Sequence, residues 1–456
     1  MTSSTASMRY ADIIALFGAA MLVARCALSG IVYDTALDAY RVTDFPAEYP
    51  CTPTLLAEMD RLLGLGKVTR DSQTGVCTVN CRLVIGANDG TSTYFQVGSP
   101  ALPGETLVMR ADLYVCPYYI PGENQYQEWW HAPQRVNRLA LGDAHQPEIR
   151  PALKFDCTGP KHRFRLLTGV RPERDNADTS GRGGQLMAWN ALITALAPSS
   201  DHSIDSLVLR GDGFVFVNST LSWVKGMMLY GVSTGWRQTV QITDSTFEHG
   251  DAAVIGGKLE LEGCTLRHCG TAVLDYGSVN VVMRNCTFAN NRCNWHLRFP
   301  GKALPTLECV DCTIGPPQDA NQMQRQETAN TRALAKKVGT LQNPWFVSKR
   351  HLIVRVLNDQ GEAIPKAKVT VQAEQPGADI DDGRCYLTDA SGCTSSKPGP
   401  KALLLPEYQQ AVTGAQSPPT TTPFSYTIRA AADGRTGTVT GVRPDSSWQT
   451  VTVTLN

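Results

Sequence analysis

The sequence carries no excess of charge of either sign, and charged residues of any kind are scarce. Lys and Arg number 42, Asp and Glu also number 42, and together they make up 18% of the 456 residues. Proteins that bind DNA or RNA through phosphates need clustered positive charge, so this balance argues against a nucleic-acid partner. Aromatic residues amount to only 7%, whereas glycine occurs 39 times. This composition favours a turn-rich β protein over a helical bundle.

The sequence also lacks the short motifs that identify several classes of enzyme. It contains no phosphate-binding glycine loop, no dinucleotide-binding fingerprint and no G-x-S-x-G. The glycine-rich stretch GRGGQ at residues 181–185 is not preceded by the strand that such a loop requires. The sequence therefore does not indicate which cofactor, if any, the protein binds.

One apolar run stands out, close to the N-terminus. Residues 13–24 are apolar, Arg9 precedes them, and the small residues Ala27 and Ser29 follow. The run is short for a bilayer span, and its flanks are typical of a secretory signal. We predict a signal peptide at residues 1–30, with an uncleaved N-terminal anchor or a buried helix as the alternatives.

Removal of residues 1–30 would leave 13 of the 14 cysteines, and export would place them in an oxidising compartment, where disulfides form. The spacing does not determine the connectivity. Three pairs are nevertheless good candidates for disulfides: Cys77 with Cys81, Cys269 with Cys293, and Cys385 with Cys393.

One clear helix is predicted in the first part of the chain, over residues 51–64. Thr52 suits its N-cap and Pro53 suits its first turn. Five residues form one apolar stripe along it: Leu55, Leu56, Met59, Leu62 and Leu63.

A four-residue phrase recurs every 19 to 26 residues between positions 218 and 314. It reads NSTL, DSTF, GCTL, NCTF and DCTI. Repeats of this length indicate stacked units that each bury a face against the next. The first letter is always a residue type that tolerates a left-handed backbone, which predicts a sharp bend at the same point of every unit. The first letters are Asn218, Asp244, Gly263, Asn285 and Asp311.

Short alternating strands lie on both sides of each bend, and a third strand follows a looser turn. Coils of about twenty residues would stack at the strand spacing of about 4.8 Å. The sequence thus predicts an all-β protein built on a right-handed parallel β-helix. Over residues 206–315 it resembles the pectin-lyase-like β-helix superfamily, and over about 75–205 the same pattern continues with irregular coils. A β-sandwich is the alternative, but it does not explain the aligned Asn, Asp and Gly positions.

The second letter of the phrase is always Ser or Cys. Ser219, Ser245, Cys264, Cys286 and Cys312 occupy it, so we predict a stacked ladder of small side chains inside the coils. Cys309 and Cys312 form a C-x-x-C, but no second ligand pair follows at zinc spacing, and strand alternation would place the two on opposite faces. We predict no metal site there.

Residues 346–456 have a different pattern, with a strand, a turn and a second strand at residues 351–372. The turn residues and the later stretch YLTDASG resemble the carboxypeptidase-regulatory-like domains of immunoglobulin-type fold. That resemblance implies a small β-sandwich, and such modules are usually non-catalytic. Asp379, Asp381 and Asp382 are either a calcium site or, more simply, a solvated loop.

Stacked coils bring side chains of successive repeats together, and this predicts a candidate site. Glu248 should face Arg267, and His249 should lie beside His268, one coil apart. A general base and a cation are what a lyase or epimerase needs to act on an acidic glycan. These four residues are therefore the catalytic candidates. The simpler alternative is a surface ion pair next to two exposed histidines.

Four further residues are candidates for substrate binding. Trp129 and Trp130 could stack on sugar rings, with a buried or capping role as the alternative, and His296 and Arg298 come from later parts of the same coils. The catalytic motifs of the β-helix glycoside hydrolases, of alginate epimerases and of the pectate-lyase calcium site are all missing from the repeats.

We therefore predict an exported cell-surface or extracellular protein that contacts polysaccharide or other surface components. A lyase or epimerase and a self-assembling scaffold or adhesin are the alternatives, and a membrane is expected as a partner only through an uncleaved N-terminus. The predicted domains are the segment 1–30, a cap with irregular coils at 31–205, regular coils at 206–315, a polar linker or cap at 316–345, and the immunoglobulin-like sandwich at 346–456.

Overall fold

The computed structural model describes residues 30–456 except 87–91, 117–136, 159–163, 169–183, 199–202, 205, 211–212, 231–238, 251, 256–258, 276–280, 298–306, 316–345, 381–382 and 412–419. The chain divides into two compact units, one up to Gln241 and one from Ile242. The described residues contain 36 strands and one helix. The predicted leader and the predicted linker at 316–345 lie outside the described residues, and the predicted domain boundaries stay predictions.

Three sheets make up the N-terminal unit. Sheet N1 contains, in spatial order, β1 (Ile31–Asp34), β2 (Ala39–Val42), β5 (Arg82–Ile85), β8 (Leu113–Val115), β11 (Arg165–Thr168), β14 (Ser206–Arg210) and β17 (Gly226–Tyr230). Sheet N2 contains β3 (Val68–Asp71), β4 (Val76–Val79), β7 (Thr106–Met109), β10 (Ala152–Phe155), β13 (Leu192–Ala195) and β16 (Thr220–Ser222). Sheet N3 contains β6 (Thr93–Val97), β9 (Asn137–Leu141), β12 (Gly184–Trp189) and β15 (Gly213–Val217).

From β4 onward the chain visits sheets N2, N1 and N3 in turn, and each strand pairs in parallel with the strand three places further on. Because pairing is in register, apolar residues of successive coils form buried columns between the sheets. In sheet N3 one such column runs through Phe95, Leu139, Leu186 and Phe214, which are at most 2% exposed. Each coil therefore buries its apolar side chains against the next, as in other stacked-repeat proteins.

The first strands of this unit run antiparallel and close the ends of its sheets. β1 pairs with β2 at the edge of sheet N1, and β3 pairs with β4 at the edge of sheet N2. An isolated bridge from Cys51 to Phe95 covers the edge of sheet N3. Unpaired strand edges are sites of aggregation, so these pairings protect the start of the stack.

The predicted helix is present as α1 (Pro53–Leu63). The Thr52 hydroxyl accepts the N–H of Leu55 at 3.2 Å, and Gly64 ends the helix with φ 65°, in agreement with the sequence signals. The predicted stripe is only partly buried, because Leu56 is fully buried while Leu62 and Leu63 are exposed. Asp60 takes the buried position instead and accepts the Tyr40 hydroxyl at 2.6 Å.

A row of left-handed residues follows sheet N3, one at each return of the chain. Gly98, Gly142, Asn190 and Asn218 have φ of 85°, 77°, 52° and 47°. The Asn218 side-chain amide donates to the Asn190 side-chain oxygen at 2.7 Å, so neighbouring corners are in direct contact. Of these four residues only Asn218 is predicted by the sequence. The others lie in coils where long insertions break the spacing.

Four sheets make up the C-terminal unit; β18 crosses the boundary between the units and is described here. Sheet C1 contains β20 (Ala252–Ile255), β23 (Thr271–Asp275) and β26 (Cys293–Leu297). Sheet C2 contains β19 (Thr246–Glu248), β22 (Thr265–Arg267), β25 (Thr287–Ala289) and β28 (Thr313–Ile314). Sheet C3 contains β18 (Thr239–Thr243), β21 (Leu259–Glu262), β24 (Val281–Arg284), β27 (Leu307–Val310), β29 (Phe346–Leu357), β32 (Leu403–Ala411) and β33 (Thr420–Pro423), with β36 (Gln449–Thr454) also paired to β29. Sheet C4 contains β31 (Cys385–Leu387), β30 (Lys368–Ala373), β34 (Tyr426–Ala432) and β35 (Arg435–Val442).

The predicted row of bends is present in this unit. Asp244, Gly263, Asn285 and Asp311 all have positive φ, between 50° and 65°. The backbone N–H of each one donates to a carbonyl of the following coil or of β29, at 2.8 to 2.9 Å. The corners therefore lie in one file, as the repeat predicts.

Strand β29 belongs to two structures at once. Its first four residues pair in parallel with β27, the last full strand of the coils in this sheet. From Leu352 onward it pairs with β36, and it also pairs with β32 along much of its length. This second half and sheet C4 enclose an apolar core that includes Leu352, Val354, Tyr426 and Ile428. The C-terminal part is thus a small β-sandwich that continues from a strand of the β-helix. The predicted fold class, an all-β chain with a right-handed parallel β-helix followed by a small β-sandwich, is confirmed.

A buried polar cluster fastens the last corner to β29. The Asp311 carboxylate accepts the backbone N–H of His351 at 2.9 Å and contacts its Nδ1 at 2.5 Å. The imidazole also stacks on Trp448, with ring centroids 4.4 Å apart. Burial alone would raise the pKa of Asp311, but hydrogen bonds and charge from His351 and a hydrogen bond from Ser447 keep it below its ordinary value.

The left-handed corners predict the effect of replacing Asn285. In the left-handed conformation the Cβ of alanine lies too close to the following carbonyl oxygen, so Asn285→Ala should lower the free energy of unfolding by about 1–2 kcal/mol. Asn285→Gly is the matched control and should cost less, because glycine adopts positive φ readily. Urea denaturation of the three proteins measures the difference. Equal destabilisation by alanine and glycine would contradict a conformational role for this corner.

The Asp311 cluster predicts a dependence of stability on pH. The folded-state pKa lies below that of an unfolded aspartate, so the carboxylate stabilises the fold at neutral pH. This contribution is lost as the pH falls through the folded-state value, below about 4. In Asp311→Asn the corner residue still tolerates positive φ but the charge is gone. We expect its thermal unfolding midpoint to fall less steeply between pH 6 and pH 3 than that of the unchanged protein. Parallel curves would show that Asp311 is not the titrating group.

Candidate functional site

Two of the predicted catalytic residues form an ion pair on the outer face of sheet C2. Glu248 and Arg267 end the strands β19 and β22 and are register partners. The Arg267 Nε donates to Glu248 Oε2 at 2.7 Å, and Nη2 lies 2.7 Å from the same oxygen. The Glu248 side chain is 17% exposed and the Arg267 side chain is 48% exposed. The predicted pairing of Glu248 with Arg267 is therefore present.

The two predicted histidines also meet. His249 and His268 follow Glu248 and Arg267 directly, and their rings are stacked with centroids 5.1 Å apart and planes 6° from parallel. His268 is exposed and His249 is half-buried. The ion pair and the stacked rings together form a continuous polar area at one corner of two successive coils.

The backbone explains why histidines occupy these positions. His249, His268 and Asn290 have φ of 55°, 54° and 55° at the end of successive C2 strands. Three successive coils thus have a second left-handed corner, which the sequence reasoning missed. The available signal was the residue type, since Asn and His are enriched at positive φ among residues other than glycine. This corner gives the histidines a structural reason for their position that is independent of catalysis.

A file of threonines lies beside this corner. Thr246, Thr265, Thr287 and Thr313 are register partners on successive strands of sheet C2. They alternate with buried residues such as Phe247 and are themselves half-buried or exposed, so their side chains point outwards. We call these four residues the threonine ladder. It is a straight row of hydroxyl groups at the strand spacing of about 4.8 Å.

The ion pair limits what Glu248 can do as a general base. A general base needs a carboxylate oxygen or an imidazole nitrogen free to reach the substrate. One oxygen of Glu248 already accepts two nitrogens of Arg267. The hydroxyl row and the exposed side chains of Arg267 and His268 can form hydrogen bonds to a ligand.

The other predicted binding residues cannot be placed in the same way. Trp129, Trp130 and Arg298 lie outside the described residues, and of His296 only the backbone is described, in β26 opposite Leu274 of β23. These assignments stay predictions. Of the suggested calcium loop, Asp381 and Asp382 also lie outside the described residues, while Asp379 is 90% exposed and lies 3.6 Å from Lys349 Nζ.

The cysteines correct one prediction and confirm another. The thirteen cysteines in the described part of the chain form no disulfide, so the three candidate disulfides are absent from the structure. Burial raises the pKa of the Cys77 thiol to about 12 and of the Cys269 thiol to about 11, which keeps both protonated at neutral pH. The predicted ladder of small side chains is confirmed: Ser219, Ser245, Cys264, Cys286 and Cys312 are at most 3% exposed.

Strand alternation predicts Cys309 and Cys312 on opposite faces, and this prediction is wrong. Both are buried in the interior, at 0% and 1% exposure. The left-handed corner at Asp311 lies between them and turns the chain, so Cys312 points inwards as well. Hydrogen bonds from the thiols of Cys286 and Cys309 lower the pKa of Cys312. Since it is enclosed in the core, this thiol has no path to a substrate.

Within the described ranges, no group of three or more His, Cys, Asp and Glu side chains could hold a metal ion. The described residues also contain no helix that is both long enough and apolar enough to cross a membrane. Comparison of the chain with protein-family models, with curated proteins and with solved structures found no match in any of the three.

The exposure of the ion pair predicts its strength. Partly exposed pairs contribute about 0.2–1 kcal/mol, so a double-mutant cycle of Glu248→Gln and Arg267→Gln should give a coupling energy in this range. Urea denaturation at low and high salt measures it, and the coupling should shrink at high salt. A coupling well above this range that does not change with salt would contradict a surface pair.

Proposed function

We propose that this chain is an exported β-helix protein of the cell surface or extracellular space that binds polysaccharide without cleaving it. The contact surface is the threonine ladder together with Arg267, His249 and His268. The observation that carries the proposal is the in-register row of Thr246, Thr265, Thr287 and Thr313 next to the stacked imidazoles.

A regular row of hydroxyl groups suits a ligand that itself repeats. An extended polysaccharide presents hydroxyl groups at regular intervals along its length, and the ladder presents partners at about 4.8 Å intervals. The strands β22 and β25 of the ladder are held by parallel pairing on both sides, so little conformational entropy is lost there on binding. Arg267 contacts Glu248 through Nε and Nη2, and its side chain is 48% exposed. The remaining N–H groups of the guanidinium can donate to a ligand carboxylate, which favours acidic polymers over neutral ones.

A lyase or epimerase fits this surface less well. Such an enzyme needs an available base close to a cation that stabilises the enolate-like intermediate. Here Glu248, the candidate base, already accepts two nitrogens of Arg267 through one carboxylate oxygen. The histidines occupy backbone corners, where Asn290 serves equally well one coil further on.

The family-level assignments are part of the same proposal. The stacked parallel strands and the recurring bend support membership of the pectin-lyase-like superfamily for the coils. The two-sheet core around Val354 and Ile428 supports a carboxypeptidase-regulatory-like, immunoglobulin-type module for the C-terminal part. Export is supported by the composition of residues 1–30.

Retention on immobilised polysaccharides tests the function. The purified chain should bind uronate polymers more tightly than neutral ones, and Arg267→Gln should weaken the binding of uronate polymers about tenfold through loss of a charge-assisted hydrogen bond. The double variant His249→Asn/His268→Asn keeps both left-handed corners but removes the rings, and it should also bind more weakly. Arg61→Gln, on the N-terminal unit, is the control and should bind normally.

The same polymers also test catalysis. An absorbance rise from unsaturated chain ends would replace the binding proposal with a lyase. Failure to bind any acidic or neutral polymer in the panel, with a normally folded protein, would overturn the proposal.

A further inference from the structure

Three cysteines stack at the same position of successive coils in the C-terminal unit. Cys264, Cys286 and Cys312 each follow a left-handed corner and are at most 1% exposed. The Thr287 N–H donates to the Cys264 carbonyl oxygen and the Thr313 N–H to the Cys286 carbonyl oxygen, both at 2.8 Å. The backbones of the three cysteines are therefore direct neighbours, and we call these residues the thiol file.

The thiols of the file also contact one another. Hydrogen bonds with the thiols of Cys264 and Cys312 raise the pKa of Cys286, which places its side chain between the two neighbours. Cys309, in the same coil as Cys312, is a fourth buried thiol and also bonds to Cys312. A buried cysteine with apolar neighbours behaves as a small hydrophobic residue, whereas adjacent thiols can be joined by oxidation to a disulfide.

The backbone spacing in the file suits such a bond. Neighbouring strands lie about 4.8 Å apart, and disulfides join Cα atoms that are about 4.4 to 6.8 Å apart. The Cys312 Sγ already points towards the coil of Cys286, since it lies 3.4 Å from the Met283 carbonyl oxygen. The Cys286 Sγ lies 3.7 Å from the Leu261 carbonyl oxygen. Because a thiol is a weak donor, little is lost when this side chain turns towards Cys312.

The position of Cys312 in the stack determines which pair reacts first. It precedes β28, which is the last strand of sheet C2 among the described residues, whereas Cys264 has a coil on each side. A coil at the end of a stack has fewer neighbours and opens more readily than an internal one. Strand β29 closes this coil, since the Arg350 Nη1 donates to the Cys312 carbonyl oxygen at 2.6 Å. An oxidant therefore reaches Cys312 before β29 is in place.

We propose that Cys286 and Cys312 form a disulfide between neighbouring coils when the chain folds in the presence of a small-molecule disulfide such as oxidised glutathione. The Cys312 thiolate attacks one sulfur of the oxidant and releases one thiol. The Cys286 thiolate then attacks the Cys312 sulfur of the mixed disulfide and releases the second thiol. The two cysteines lose two electrons and two protons, and the oxidant is reduced to two thiols. The structure shows the pair in its reduced form.

The bond would join the coils that carry the last two members of the threonine ladder. Thr287 and Thr313 directly follow Cys286 and Cys312, so the disulfide would keep these two hydroxyl groups in register. In the organism the oxidant depends on the proposed export, because disulfides persist in oxidising compartments. The chemistry of the pair does not depend on polysaccharide binding.

Refolding in a glutathione redox buffer tests the proposal. The full chain is reduced, unfolded in urea and refolded with oxidised glutathione; the remaining thiols are then alkylated and the digest is mapped by mass. We expect the peptides with Cys286 and Cys312 to be linked, with a mass lower by two hydrogen atoms. Cys286→Ser should abolish the link, and Cys264→Ser is the matched control that should keep it. Serine suits this position, because Ser245 occupies it one coil earlier and donates to the Thr243 carbonyl oxygen at 2.8 Å.

The map of the unchanged chain decides the question even if a variant fails to fold. A refolded chain in which Cys286 and Cys312 are both alkylated would overturn the proposal, and so would a link from Cys312 to Cys309 or from Cys286 to Cys264. An equal yield of the Cys286–Cys312 link in a chain kept unfolded in urea would overturn it too, because stacked coils would then not be needed. Retention of the reduced chain on uronate polymers tests the proposed function separately.

Discussion

The architecture depends on one conformational constraint: the chain must adopt a left-handed backbone at the same point of every coil. A strand that ends in such a residue changes direction within one position, and the next strand then begins on a different sheet. Residues with an ordinary Cβ adopt this conformation at a cost of about 1–2 kcal/mol, so glycine, asparagine and aspartate fill the corners. The stacking of each corner N–H on a carbonyl of the next coil follows from this repeated geometry. The straight columns of buried and outward-facing side chains follow from it as well.

The sequence predicts much of this architecture because the constraint selects Asn, Asp or Gly at one position of every repeat. The motif that starts with Asn, Asp or Gly identifies the regular coils and places Glu248 opposite Arg267. In the structure the Arg267 Nε lies 2.7 Å from Glu248 Oε2. The same reasoning fails where the repeated motif is altered or interrupted. Asn190 is a corner with φ 52°, yet Leu192 stands where the repeat has threonine, so the phrase is not recognisable there. Gly98 and Gly142 are hidden by long insertions between coils.

Other differences arise because periodicity alone does not specify the local environment. The strand pattern around Cys309 and Cys312 predicts opposite faces, but one left-handed residue between them places both in the core. The helix stripe predicts a continuous apolar contact for α1, but a buried aspartate paired with Tyr40 replaces part of it. In the candidate site, the residue pairs follow from the repeat. The second left-handed corner at His249 and His268 does not follow from the repeat, because no single residue type marks this position in the sequence.

Strand β29 has a consequence for assembly. Its first four residues cover the hydrogen-bonding edge of β27, and its remaining length is built into the sandwich. A version of this chain that ended before β29 would leave the open edge of a parallel stack facing water, with unpaired groups at regular intervals. The same exposed edge of a second molecule could then pair with it. The sandwich thus acts as a terminator: it gives the stack a defined length within a single molecule.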